Sequence, residues 1–154
     1  MSEQLVKKIK QVSFFKKFSE HETETLKKLL VETLDDLKPI QAEIKMLESN
    51  RESILNIANR YLNSGIVCPH RIKGIHKELE QNQSRNEVFS EQEKALLVEC
   101  DSIRKKLLNS ISQTNAMASK ELLETQKLCF EKEKKSDQYM LDLFMSNRGH
   151  HGYK

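Results

Sequence analysis

The 154-residue chain contains no tryptophan, four glycines and two prolines, and aromatic residues make up only 6% of it. A many-stranded sheet needs more glycine and proline for its turns, so an all-β or Rossmann-type fold is not expected. Hydrophobic residues amount to 37%, below the figure of about 45–50% that is usual for globular domains. This shortage predicts narrow helical seams instead of a globular core.

Long apolar runs are absent as well. No apolar stretch approaches the length of about 18 residues that a membrane-spanning helix needs. The start MSEQLVKKIK lacks the hydrophobic region of a secretory signal. The three cysteines, Cys68, Cys100 and Cys129, are odd in number and widely spaced, with no Cys-x-x-Cys pair. We therefore expect reduced thiols in a cytoplasmic protein.

The sequence does contain a long heptad pattern that begins at Leu26. Nine of eleven positions at alternating steps of four and three residues are apolar or aromatic, which is the 3.5-residue repeat of a coiled-coil seam. The eleven positions are Leu26, Leu30, Thr33, Leu37, Ile40, Ile44, Leu47, Arg51, Ile54, Ala58 and Tyr61. Earlier residues continue this phase, but Lys16, Ser19 and Thr23 interrupt it. The pattern predicts a first helix over about residues 3–62.

The two polar positions of the seam, Thr33 and Arg51, are predicted to face polar residues of a second helix, with Arg51 near Asn82. Such layers set the register of a coiled coil at some cost in stability. A functional role for the two residues is the alternative.

The two prolines mark two different features of the chain. Pro39 lacks an N–H donor and predicts a kink in the first helix, but not a break, because the apolar phase continues across it. The segment Asn63-Ser64-Gly65 predicts a helix end with a left-handed residue, and Pro69 suits the first turn of the next helix. We place a hinge at residues 63–69. Helices joined by so short a connection are expected to be antiparallel.

A weaker seam predicts the second helix over about residues 70–145. Its positions are Ile72, Ile75, Leu79, Asn82, Asn86, Phe89, Glu93, Leu96, Cys100, Ile103 and Leu107. Beyond them the stripe is expected to move by one residue, to Leu108, Ile111, Asn115, Ala118, Leu122, Thr125, Cys129, Ser136, Tyr139 and Leu143. Residues 147–154 are predicted to form a flexible tail. The expected fold is all-α, a single antiparallel coiled-coil hairpin over residues 1–146.

Such a hairpin offers no enclosed pocket, so we expect neither catalysis nor a cofactor. Cys68, His70 and His76 are close in sequence, and His150 and His151 could add ligands. Zinc sites usually show paired short spacings, which are missing here, so we predict solvated histidines and no metal.

The segment K7-K-I-K-Q-V-S-F-F-K-K-F18 mixes lysines with phenylalanines. On a helical wheel its lysines fall on nearly every side and its phenylalanines are not gathered on one clean face, whereas interfacial helices separate the two. We therefore predict a protein partner for Phe14, Phe15 and Phe18, and neither nucleic-acid binding nor membrane insertion.

The layout, together with the charged segment E131-K-E-K-K-S-D-Q-Y-M140, resembles the small coiled-coil hairpin proteins of type III secretion systems. These proteins are called FliJ in the flagellar branch and YscO in the injectisome branch. The resemblance covers nearly the whole chain in length and layout. It implies a cytoplasmic stalk, monomeric alone, that inserts into a hexameric export ATPase, reaches the export gate and handles secretion chaperones. Such a stalk hydrolyses nothing itself.

The resemblance also implies two sets of interface residues. The ATPase-side candidates are Leu5, Ile9, Val12, Phe14, Phe15, Met140, Leu141 and Phe144. The gate-side candidates are Tyr61, Ile66, Ile72, Ile75 and Leu79. The competing hypothesis is a coiled-coil scaffold or tethering subunit held in a larger helical complex.

Overall fold

The computed structural model describes the backbone of residues 2–151 and the side chains of residues 2–148. It contains two helices, α1 (Ser2–Asn63) and α2 (Pro69–His151), and those residues include no strand. The predicted all-α class with two long helices is confirmed. Both ends of α1 and the start of α2 lie one residue from their predicted positions.

The C-terminal end of α2 differs from the prediction. The helix continues to His151, so the predicted helix end at residue 145 is wrong, while the flexibility of the segment that begins at residue 147 stays a prediction. Gly149 is the one glycine in this stretch, and glycine costs a helix only about 1 kcal/mol relative to alanine. Residues 152–154 of the predicted tail lie outside the described residues.

The connection between the helices follows local turn chemistry. Gly65 has a φ of 79°, the left-handed conformation that was expected after α1. The carbonyl of Cys68 accepts hydrogen bonds from the N–H groups of Arg71 and Ile72, which begins α2 directly after Pro69. Pro39 lies inside α1, which continues through it without a break.

The chain divides into two compact units. Unit 1 contains the chain up to Thr25 and from Leu107 onward, and unit 2 is Leu26–Lys106. Within each unit a segment of α1 pairs with an antiparallel segment of α2, as the contact of Leu47 with Asn82 in unit 2 illustrates. The single domain over residues 1–146 stays a prediction.

Unit 2 buries the predicted apolar seam. Leu37, Leu47, Cys100 and Ile103 are buried, and Cys100 has no accessible surface. Most other predicted positions are partly buried, while Ile72 is exposed. The stripe pattern therefore identifies the core of this unit, because only its positions face the second helix.

The polar positions of the unit 2 seam have different surroundings, and the Oδ1 atom of Asn82 is buried without a hydrogen-bond partner. Asn82 donates from Nδ2 to the carbonyl of Leu47 at 2.9 Å, one turn before Arg51. Arg51 itself is exposed. Thr33 is buried but donates to the Leu29 carbonyl of its own helix at 2.8 Å, so the expected polar partner across the seam is not found for it.

Unit 1 keeps the same heptad phase, contrary to two expectations. Ser19 and Thr23 do not interrupt the seam but are buried in it. On α2 the stripe does not move by one residue, because Ser110 and Glu124 are buried in the original phase whereas Leu108 is exposed. Further residues of the predicted shifted stripe are also exposed, namely Asn115, Leu122, Thr125, Cys129, Ser136, Tyr139 and Leu143.

A cluster of four hydroxyl groups explains how polar residues occupy this seam. Thr23 donates to the Ser19 carbonyl at 2.8 Å, and Thr114 donates to the Ser110 carbonyl at 2.9 Å. The Ser110 hydroxyl lies 2.7 Å from the Thr23 hydroxyl, and the Ser19 hydroxyl lies 2.6 Å from that of Thr114. If each serine donates across the seam, every hydroxyl proton of this hydroxyl cluster has an acceptor, which removes the penalty of burying it.

The apolar seam of unit 2 is predicted to carry most of its stability. Leu37→Ala should lower the free energy of unfolding by about 2–4 kcal/mol, since it leaves a cavity between the helices. Val31→Ala, on an exposed face of α1, should change it by less than about 0.5 kcal/mol. Urea denaturation followed by circular dichroism measures both, and equal effects would contradict an intramolecular seam.

Removing one hydroxyl of the cluster is predicted to lower stability, whereas replacing all four together is not. Ser110→Ala removes the proton donated to Thr23 and should destabilise unit 1 by about 1 kcal/mol. The combined change Ser19→Ala, Thr23→Val, Ser110→Ala and Thr114→Val removes all four hydroxyls of the cluster and should be at least as stable as wild type. Hydrogen exchange of α1 amides before Thr25 reports both effects. A combined variant less stable than Ser110→Ala would refute this account.

Candidate functional site

Three phenylalanines form an exposed aromatic patch on α1. Phe14, Phe15 and Phe18 are each more than half exposed, and Phe14 is 66% exposed. The rings of Phe14 and Phe15 pack edge to face with centroids 5.8 Å apart. Phe18 follows them by four and three residues and so lies on the same side of the helix. The expectation that the phenylalanines do not share a face is therefore wrong.

The other ATPase-side candidates on α1 have inward positions. Val12 is 6% exposed, and Leu5 and Ile9 are partly buried. Leu5 lines an open groove together with Phe130 and the stems of lysine side chains. In this structure the three aliphatic residues pack towards α2, so only Phe14 and Phe15 among the predicted α1 residues are open to a partner.

The last part of α2 carries a second exposed apolar segment. Lys135 Nζ lies 3.4 Å from the Ser2 hydroxyl, and every described side chain after Lys135 is exposed. The predicted residues Met140, Leu141 and Phe144 belong to this segment. Tyr139, Leu143 and Met145 are exposed there as well. The sequence signal for all six is one run, Y139-M-L-D-L-F-M145.

The seam of unit 1 near these surfaces is acidic on α2. Lys16 Nζ lies 3.3 Å from Glu121 Oε2, and both side chains are about 30% exposed. Glu124 and Glu131 follow in the same phase, and each has one carboxylate oxygen that is buried without a hydrogen-bond partner. Carboxylates in these positions contribute little to helix pairing. The sequence pattern had assigned the seam to neighbouring apolar residues instead.

The gate-side candidates lie around the hinge. We call this region, the hinge together with the adjoining helix ends, the tip (residues 58–79). Tyr61 is partly buried: its phenolic oxygen accepts the N–H of Cys68, and the guanidinium of Arg71 lies 4.6 Å from its ring centroid. Ile66 is 79% exposed and Ile72 is also exposed. An apolar groove lies between the helices at this point, lined by Ala58, Tyr61, Leu62, Ile72, Ile75, His76 and Leu79.

The residues considered as metal ligands do not converge. His76 Nε2 lies 3.0 Å from Glu80 Oε1, on an exposed face of α2. Over the part of the chain that is described, no group of three or more His, Cys, Asp or Glu side chains is arranged to hold a metal ion. The side chains of His150 and His151 lie outside the described residues. The absence of a metal stays a prediction.

The arrangement therefore offers exposed apolar surfaces on both units. Neither described helix includes a window that is long and apolar enough to cross a bilayer. Comparisons with protein-family models, curated proteins and solved structures find no match for this chain.

The aromatic patch is predicted to be dispensable for folding. Replacing Phe14, Phe15 and Phe18 together by Ser should change the free energy of unfolding by less than about 1 kcal/mol, because all three rings already face solvent and the helix propensities are similar. Val12→Ser is the matched control and should cost about 2 kcal/mol or more. Urea denaturation measures both. A loss for the triple variant that matches Val12→Ser would make the phenylalanines core residues.

Proposed function

We propose that this chain is a non-enzymatic central stalk of a type III secretion or export apparatus in the cytoplasm. In this proposal unit 1 inserts into the hexameric export ATPase and the tip of unit 2 reaches the export gate, while secretion chaperones are further partners. The observation that carries the proposal is the apolar surface of unit 1: Phe14, Phe15 and Phe18 on α1, and Tyr139 to Met145 on α2, stay exposed.

Unit 1 combines a partly polar seam with an apolar surface. Its seam contains hydroxyls and carboxylates, while its aromatic side chains face solvent. Clustered exposed aromatics are frequent anchors of protein interfaces. A partner that covers them from both helices adds the apolar burial that this unit does not obtain from its own seam.

The stalk would act by biasing conformations. An asymmetric helix pair inside a symmetric ring contacts its subunits unequally and favours some subunit states over others. Binding of this kind changes the rate at which the ring hydrolyses ATP, and it needs no catalytic group on the stalk.

A scaffold subunit is the second candidate, and one observation favours it. Exposed aliphatic and methionine side chains also occur along unit 2, away from the tip, at Val31, Met46, Val88 and Val98. Further helices could cover them in a larger bundle. Such a subunit should self-associate when it is purified alone, whereas the stalk should be a monomer.

The test is an ATPase assay with the export ATPase of the same organism. One chain per hexamer should raise the turnover rate. Replacing Phe14, Phe15 and Phe18 by Ser should raise the concentration for half-maximal stimulation at least about thirtyfold, as for the loss of an interface hot spot.

The matched control is Val31→Ser with Met46→Ser and Val98→Ser, which removes three exposed apolar side chains from unit 2. This control should stimulate as wild type does. Light scattering of the chain alone accompanies the assay. Absent stimulation, together with self-association of the wild-type chain, would replace the stalk by the scaffold.

A further inference from the structure

Up to Lys77, the tip carries positive charge without any acidic side chain. Between Glu52 and Glu78 the sequence contains four basic residues and no aspartate or glutamate. The four are Arg60 in the last turn of α1, and Arg71, Lys73 and Lys77 in the first turns of α2. The whole chain has 26 basic and 23 acidic residues, so this segment departs strongly from the mixed charge found elsewhere.

These cations are available to a partner. None of the ion pairs found among the described side chains includes Arg60, Lys73 or Lys77, and all three are exposed. Arg71 is exposed as well and stacks on the Tyr61 ring. No acidic side chain of the described chain forms an ion pair with them.

The positions of the cations surround the tip. Arg71 and Lys73 are two residues apart, which is about 200° around a helix, so they point to opposite sides of α2. Arg60 adds a charge on α1. A partner that approaches one side of the hairpin would meet only some of these charges, whereas a broad anionic surface met end-on would meet charges from both helices.

The apex of the tip is apolar and is flanked by hydrogen bonds to Tyr61. Ile66 is 79% exposed, and its neighbour Val67 is also exposed. The phenolic oxygen of Tyr61 accepts a hydrogen bond from the Cys68 N–H, and the Ser64 hydroxyl donates to the Tyr61 carbonyl at 2.7 Å. Two aliphatic side chains therefore project from an ordered turn between the basic ends of the helices.

We propose that the tip docks end-on onto an anionic lipid surface. Arg60, Arg71, Lys73 and Lys77 bind the headgroups, while Ile66 and Val67 enter the boundary of the acyl chains. Peripheral binding of this kind combines shallow apolar burial with attraction between basic residues and anionic lipids. It requires no spanning helix and differs from the flat interfacial helix considered for residues 7–18.

The experiment is co-sedimentation of the full chain with vesicles of phosphatidylcholine alone or of phosphatidylcholine with an equal amount of phosphatidylglycerol. At about 0.1 M ionic strength, where the Debye length is about 10 Å, the chain should bind only the anionic vesicles. Arg60→Gln with Lys73→Gln should lower the partition coefficient about 25-fold, because each cation near the surface contributes about fivefold. Ile66→Ser should lower it by about tenfold.

Two matched controls separate the tip from the rest of the chain. Lys105→Gln with Lys106→Gln makes the same change in charge far along α2, and Val98→Ser removes an exposed aliphatic side chain there. Both controls should bind as wild type does. All variants change exposed residues, and circular dichroism checks that they remain folded.

The proposal is overturned if the wild-type chain fails to bind the anionic vesicles, if it binds both vesicle types equally, or if the controls lose as much binding as the tip variants. It is also overturned if the tip residues instead bind the soluble domain of the export gate and no vesicle.

Lipid docking goes beyond the stalk function and fails independently of it, because the tip variants should still stimulate the ATPase in solution.

Discussion

The constraint on which this molecule depends is that each helix can bury only one narrow stripe against the other. The 3.5-residue repeat keeps that stripe turned inward, and most residues outside it are exposed. Burial is consequently rare: among the described residues, the buried hydrophobic side chains are Val12, Leu37, Leu47, Cys100 and Ile103. An apolar side chain outside the stripe is therefore available to other molecules.

The chemistry of the stripe differs between the two units, and their surfaces differ accordingly. Unit 2 pairs mainly through aliphatic side chains, with Asn82 as a polar exception that bonds to the Leu47 carbonyl. Unit 1 adds to Val12 and its partly buried aliphatic neighbours the hydroxyl cluster and the ion pair of Lys16 with Glu121, two interactions that gain little over their hydration in water. The exposed aromatic patch of unit 1 and the basic tip of unit 2 are thus surfaces of different chemistry, suited to different partners.

Much of the fold could be predicted from sequence because its signals are local or periodic. Gly65 and Pro69 mark the hinge through their own backbone preferences, and the heptad spacing from Leu26 to Tyr61 specifies the buried side of α1. The candidate interface was predicted less completely. Phe14, Met140 and Ile66 are exposed as an interface requires, but Val12 is core and Tyr61 is engaged within the tip.

What the sequence by itself determined is the two helices, their turn and the apolar seam of unit 2, since spacing and turn residues act within one segment. Only the tertiary structure decided that Ser19, Thr23, Ser110 and Thr114 belong to the core. A hydroxyl is a poor core group until another lies opposite it, and a pattern read along one helix cannot show that pairing. For the same reason the stripe of α2 keeps its phase and buries Ser110 while Leu108 is exposed, because burial there depends on what faces a residue across the seam.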